Sequence, residues 1–333
     1  METIKKVLDA YSIYPATIDK ITDRLYRIHD GRFVYALKQA SMGTENIAKW
    51  ERVYQQAFVQ NLSLVLPVYV TENRKMYVEM DGDIYYLTPW IETEKKRDIE
   101  LFYRSLGIMH AKTKNEQLIN AGVFIRNFDI YKSFCDDTAM NLLHIVEQFE
   151  KSRYMSPFEL LVCTHYRDLE YAMGEVHKRI DKLTDQEAER VSWNYSMCHG
   201  NLKFSHLLMS NQTYLLNFER AKLDNAVMDL VVFFRNEIGY FDAPSDMLID
   251  EFSSYTSENE LTDNELQLLL VHLLNPTEYI TIIQDFLNKG MEKSMITAMI
   301  RLEQAYRRII FGLKLSDYIE REYETVTFDD LES

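Results

Sequence analysis

A chain of 333 residues, 47% hydrophobic and 27% charged, is long enough for a large core and for two domains at roughly 150 residues each. Its ten glycines never lie closer than twelve positions apart, which excludes the dinucleotide loop, the P-loop and the nucleophile elbow, since each needs clustered glycines for close backbone approach or a sharp turn. The net charge is −15, yet residues 1–90 hold 11 Lys/Arg and 11 Asp/Glu, so the acidic excess lies after residue 90; without a basic patch to release counterions, nucleic acid is not an expected partner.

The N-terminus, Met1 to Lys6, carries no apolar signal core, so synthesis in the cytoplasm is expected. Three cysteines, Cys135, Cys163 and Cys198, are too few and too odd in number for a disulfide framework. Leu25–His29 and Phe33–Lys38 alternate at period two about Asp30-Gly31, which predicts a hairpin. Further strands are predicted over Val65–Val70, Met76–Met80 and Ile84–Leu87, with a turn at Asp81-Gly82. Between the two sets lies one helix, capped by Thr44, with Ile47, Tyr54 and Phe58 on an apolar stripe beside Trp50 and Ala57.

After Trp90 the period becomes helical over Ile99–Thr113, Tyr131–Arg153, Phe158–Leu183, Leu266–Leu274, Tyr279–Leu287 and Met295–Tyr318. Leu266–Leu274 falls far short of the roughly 20 residues of a membrane helix and reads as a buried helix, so no membrane span is expected. From Met197 to Asp229 the pattern is loop, a short strand at Thr213–Leu216, loop, and the start of another helix. The acidic tail after Tyr318, with Glu320, Glu322, Glu324, Asp329, Asp330 and Glu332, is expected to fray.

Period two places Ala36 and Lys38 on one strand face, a small residue beside a cation, where a nucleotide needs room for its base and charge for its phosphates. Glu51 sits on the stripe of the following helix and is expected to pair with Lys38, because a buried carboxylate needs a partner. Cys198, His199 and His206 are one ligand short of a closed zinc site. Glu219 reads as a solvent-facing or supporting residue.

The run Cys198-His199-Gly200-Asn201-Leu202-Lys203-Phe204-Ser205-His206, followed by Leu216-Asn217-Phe218-Glu219 and Asp229-Leu230, resembles the aminoglycoside phosphotransferase and choline kinase branch of the protein-kinase-like folds. There the catalytic loop reads H-G-D-x-x-x-x-N and the metal strand I-D-[WF]-[ED]. With Tyr35-Ala36-Leu37-Lys38, Tyr86–Glu92 and Leu106–His110, the chain is most similar to the CotS and YsxE group of spore coat proteins of endospore-forming bacteria. The resemblance implies an α+β, bilobal protein-kinase-like fold: a small antiparallel-sheet lobe with one helix at 1–90, and a large mainly helical lobe at 91–333 with a degenerate catalytic loop at 198–229.

The departures from the family pattern matter most. The family's catalytic aspartate falls on Asn201, its metal-binding asparagine on His206 and its metal-binding aspartate on Asn217. An amide accepts no proton at useful pH, and magnesium prefers hard, mostly anionic oxygen. Asp19–Asp30, in place of the glycine loop, carries bulky side chains. Lys38 and Glu51 are the remnant of a nucleotide site, and His199 and Asp229 remain as structural braces. The expected function is therefore a non-catalytic, kinase-like spore coat protein with a structural or interaction role, binding other coat proteins and needing no cofactor or metal. The alternative is an atypical small-molecule or protein phosphotransferase using ATP and magnesium, with Glu219 or Asp224 replacing a lost carboxylate; a third reading is metal-free nucleotide sensing through Lys38.

Overall fold

The computed structural model describes residues 2–40, 42–43, 46–92, 98–185, 189–210, 212–289 and 294–324. The expected Thr44 cap and the tail residues Asp329, Asp330 and Glu332 lie outside them. The protein is α+β, and its described residues fall into two compact units, Met1–Lys114 with Ser196–Asp224, and Asn115–Tyr195 with Asn225–Ser333.

The first unit opens with helix α1 (Glu2–Asp9), an element without a counterpart in the sequence expectations, whose Ile4, Val7 and Leu8 are buried. Five antiparallel strands follow: β1 (Thr17–Thr22), β2 (Leu25–His29), β3 (Val34–Gln39), β4 (Val78–Met80) and β5 (Asp83–Pro89), in the spatial order β1-β2-β3-β5-β4. β1 carries no alternation of apolar residues and is exposed at five of its six positions, so period two does not reveal it. Ile28, Leu37 and Leu87 pack with Ile4, Val7 and Leu8 in one core.

The β2–β3 hairpin pairs Leu25 with Lys38 through His29 with Val34. Its connection is four residues, Asp30 to Phe33, one more than the expected strand bounds leave, because Phe33 lies in the turn and not in the strand. The Asp30 carboxylate accepts the amides of Arg32 at 2.8 Å and Phe33 at 2.7 Å and the Tyr35 hydroxyl at 2.9 Å, which closes a longer turn around Gly31. The Asp81-Gly82 turn is as expected: φ values of 57° and 84° put both residues in the left-handed region that a two-residue hairpin matching strand twist requires.

Helix α2 (Ile47–Val59) buries Ile47, Trp50, Val53, Tyr54 and Ala57. Phe58, expected on that stripe, is 88% exposed, because the buried face is set by the 47, 50, 54, 57 row and Phe58 lies beyond its edge. Helix α3 (Ile99–Thr113) is capped by Asp98, whose carboxylate accepts the Leu101 amide at 2.9 Å. The expected strand Val65–Val70 is an extended segment instead. It is held by a bridge between Val65 and Leu215, by Leu215 N–H to Leu64 C=O at 2.7 Å, and by Tyr69 N–H to Leu87 C=O at 2.8 Å.

Those bonds also explain why Ser196–Asp224 belongs with the first unit. Strand β8 (Leu207–Met209) and strand β9 (Thr213–Leu215) form a hairpin against Leu64–Leu66, while β10 (Lys222–Asp224) pairs with Ser196–Cys198.

In the second unit β6 (Asn115–Asn120) pairs with Arg190–Tyr195 of β7 (Arg190–Cys198), neither of which the sequence pattern announces. Helices α4 (Ala121–Glu150) and α5 (Pro157–Thr184) pack along each other and share a core with α9 (Asp263–Leu273), α10 (Thr277–Lys289) and α11 (Met295–Ile319). α6 (Val227–Glu237), α7 (Ser245–Asp250) and α8 (Phe252–Thr256) complete it. Capping boxes start α5 at Ser156–Glu159 and α9 at Thr262–Glu265. α9 is buried as expected, with Leu266, Leu268, Leu269, Leu270, Val271 and Leu273 in the core beside the buried Glu265 and Gln267. The most apolar window within Asp263–Asn288 is 72% buried, the signature of a core segment.

Arg179 of α5 is fully buried. Its guanidinium donates to Ser316 Oγ at 2.8 Å and Gln267 Oε1 at 3.2 Å, and lies 3.4 Å from Glu175 and 3.5 Å from Glu320. Glu320 also accepts from Lys178 at 2.9 Å. The chain after Tyr318 therefore continues as an ordered π-helical turn, Glu320–Glu324, rather than fraying there: Glu320 supplies the carboxylate that two α5 cations need.

Candidate functional site

β3 turns Tyr35 and Leu37 into the core of the first unit and leaves Ala36 and Lys38 on the opposite face. That face borders a cavity of about 380 Å³ within the same unit, in the size range of small-molecule sites. Its walls are mostly apolar, with Leu25, Ala36, Leu66, Trp90, Leu208 and Leu216, and its polar end holds Lys38 and Asn217.

The Lys38 ammonium does not pair with Glu51 as expected. It lies 2.5 Å from Glu219 Oε1 and donates to Asn217 Oδ1 as well. Glu51 is half-buried and makes no ion pair among the described residues. The cause is the short helical turn Phe218–Arg220, which follows Asn217 in left-handed conformation at φ 69° and buries Glu219. Asparagine is among the few residues besides glycine that tolerate that conformation. Of the two roles expected for Glu219, solvent-facing or supporting, the structure shows the second: it is a buried carboxylate that accepts from Lys38.

Tyr86, the cross-strand register partner of Lys38, donates its hydroxyl to the same Glu219 oxygen at 2.8 Å. Burial pushes the Glu219 carboxyl up, but the Lys38 charge and the hydrogen bonds from Lys38 and Tyr86 outweigh it and hold the group below its ordinary value. Burial, then Glu219, pushes the Tyr86 phenol well above its ordinary range, so it stays a donor. Sequence reasoning missed both partners. No sequence signal sets Tyr86 opposite Lys38, because β5 is buried on both faces and its register with β3 is a property of the fold.

The loop before this turn is braced by His199. Its Nδ1 accepts the Asn201 amide at 3.2 Å and its Nε2 donates to Leu216 C=O at 2.6 Å, which fixes a neutral tautomer. Gly200 has φ +75°, and a Cβ there would lie 2.2 Å from the Arg220 carbonyl oxygen. Asn201 follows with its backbone committed to His199. His206 packs its ring 5.2 Å from that of His199 and is buried, with Nδ1 lacking a hydrogen-bond partner among the described residues. Asp229 is buried in the first turn of α6, in the second unit.

Burial first, then the neighbouring His199, Lys38 and Lys203, depresses His206 to about 4 from an ordinary 6.5. Between those values the unfolded chain binds the proton and the folded chain does not. Stability is therefore expected to fall as pH drops from 6.5 towards 4, and His206→Asn to flatten that part of a urea-unfolding pH profile. An unchanged slope in the variant would contradict this assignment.

The residues at the loop do not fit a magnesium ion. Asn201, His206 and Asn217 include no carboxylate, Asn217 Oδ1 is taken by Lys38, and the buried His206 nitrogen is a softer donor than magnesium prefers. The nearby carboxylate, Glu219, is engaged by Lys38 and Tyr86.

No family model and no curated protein matches the chain. Solved structures do. An aminoglycoside phosphotransferase from Alicyclobacillus acidocaldarius aligns with a TM-score of 0.68 at 14% identity, over 95% of this chain and 96% of that one. The fold is that of the aminoglycoside phosphotransferases. A spectinomycin phosphotransferase in complex with ADP and spectinomycin aligns with a TM-score of 0.57 at 12% identity, covering 95% of this chain and 98% of that one. A microcompartment-associated aminopropanol kinase gives 0.52 at 12% identity, covering 95% and 97%. The phosphotransferase fold, with an antiparallel sheet in its N-terminal region and a larger helical C-terminal part, agrees with the architecture that the resemblance implied.

Proposed function

We propose that this kinase-like protein is a pseudokinase, a phosphotransferase fold that no longer transfers phosphate, with a structural or interaction role. The observation that supports it is the commitment of Lys38 to Glu219 and Asn217: the cation that would meet nucleotide phosphates is neutralised from within the chain. Asn201 at the position of the base points the same way, since an amide takes no proton from a hydroxyl. Asn217 and His206 in place of magnesium ligands remove the charge that would hold the metal against a triphosphate. No cofactor is then required. The motifs around Lys38, Tyr86–Glu92 and Cys198–Asn201 favour a place in the bacterial spore coat among other coat proteins.

Thermal unfolding with ATP and magnesium tests the loss of activity. A ligand at 100 times its Kd adds about 2.7 kcal/mol of stability, a shift of several degrees; the expected result is no saturable magnesium-dependent shift, and a robust one would sink the proposal. The spore coat role is checked by following a tagged chain in a sporulating host, where a signal confined to the mother-cell cytoplasm would count against it.

A second reading, an atypical phosphotransferase, draws on the open cavity beside Lys38 and on the Glu219 carboxylate at its edge. It predicts phosphate transfer that Lys38→Ala abolishes. Equal background in both proteins removes it.

A further inference from the structure

The second unit holds a separate cavity of about 290 Å³, whose lining includes Arg235, Leu273, Asn275, Thr277, Arg308 and Ile309. Four helices contribute to it, α9 through Leu273 at its end. Arg235 comes from the last turn of α6, Arg308 from α11, and Glu278, its lining carboxylate, from the first turn of α10. Two guanidiniums thus share one carboxylate, a local cationic surplus in a chain whose net charge is −15.

The hydrogen bonds sharpen the imbalance. Arg308 Nη1 contacts both Glu278 oxygens at 2.8 Å. Arg235 donates through Nη2 to the His272 carbonyl at 3.1 Å. Each guanidinium offers five N–H donors in a planar fork suited to oxyanions, more than these contacts with the described residues occupy. Desolvation pulls Arg235 below its ordinary value, and the Glu278 charge opposes it more strongly than the Arg308 charge adds to it. Asn275 is not that acceptor, because its Oδ1 takes the Thr277 amide at 2.9 Å.

We infer that Arg235 and Arg308 form a binding site for a small oxyanion, a carboxylate or a phosphate. The apolar floor of Leu273 and Ile309 leaves room for a short hydrocarbon stem behind the anionic head. This site is independent of the Lys38 cavity and of any phosphotransfer there.

The test is titration of the full chain with sodium butyrate and, separately, inorganic phosphate, followed by the NMR signal of the Arg308 Nε–H group and by thermal unfolding. Saturable movement of that signal beyond the effect of sodium chloride at equal ionic strength is expected, weakened at least tenfold in Arg235→Gln. Saturation by butyrate alone assigns a carboxylate, by phosphate alone a phosphate. Glu278→Gln removes the competing carboxylate and is expected to tighten the same anion severalfold; this variant decides the matter if Arg235→Gln does not fold. An Arg308 signal that follows ionic strength alone in both the wild type and Glu278→Gln overturns the inference.

Discussion

Arg179→Ala is expected to lower the free energy of unfolding by about 3–5 kcal/mol, the range for removing one member of a buried ion-pair network. The guanidinium is fully buried and joins three helices: α5 through Glu175, α9 through Gln267, and α11 with the turn beyond it through Ser316 and Glu320. Truncation leaves the largely buried Glu175 with Lys178 at 3.7 Å and the Ser316 hydroxyl at 3.5 Å and opens a cavity of side-chain size, so a transfer and a desolvation penalty add. Urea unfolding followed by circular dichroism measures the effect. A change within about 1 kcal/mol would show that α5, α9 and α11 are held by their apolar core without this network.

Gly200→Ala is expected to displace the loop at His199–Asn201. A Cβ residue in left-handed conformation costs roughly 1–2 kcal/mol, and here that Cβ would lie 2.2 Å from the Arg220 carbonyl oxygen, a backbone atom that cannot swing aside. Relief requires the loop to part from the Phe218–Arg220 turn, and with it His199 loses its bond to Leu216. The measurement is a pair: urea unfolding, and the His199 Nε2–H signal by NMR. A variant with wild-type stability and an unmoved His199 signal would refute the close approach.

The sequence made the two hairpins of the sheet and the long helices legible for different reasons. β3 alternates between buried and half-buried positions and β5 is a continuous buried run between turn residues, while α3, α5, α9 and α11 are each long apolar-rich segments of helical period. β1 is exposed on both faces and β6 nearly so, which leaves periodicity nothing to report. Val65–Val70 has the composition of a strand, but among the described residues its amides reach other strands only at Leu66 and Tyr69, and no alternation encodes how many ladder bonds a segment finds. In the site, the Ala36 and Lys38 face followed from β3 alone. The partner of Lys38 did not, because it depends on the turn that Asn217 starts in left-handed conformation, some 180 residues away in the chain. Glu51 matched the rule that a carboxylate on a helix stripe needs a partner; its half-buried position satisfies it with solvent instead.

The Lys38–Glu219 pair has a further meaning for the environment of the cavity. With side chains 23% and 5% exposed, the two charges sit where dissolved salt screens little. Glu219 is held ionised below the ordinary carboxylate range, so the pair is expected to outlast added salt that would dissolve an ion pair on the surface. The polar end of the cavity beside β3 thus carries a charge and its counter-charge from the same chain.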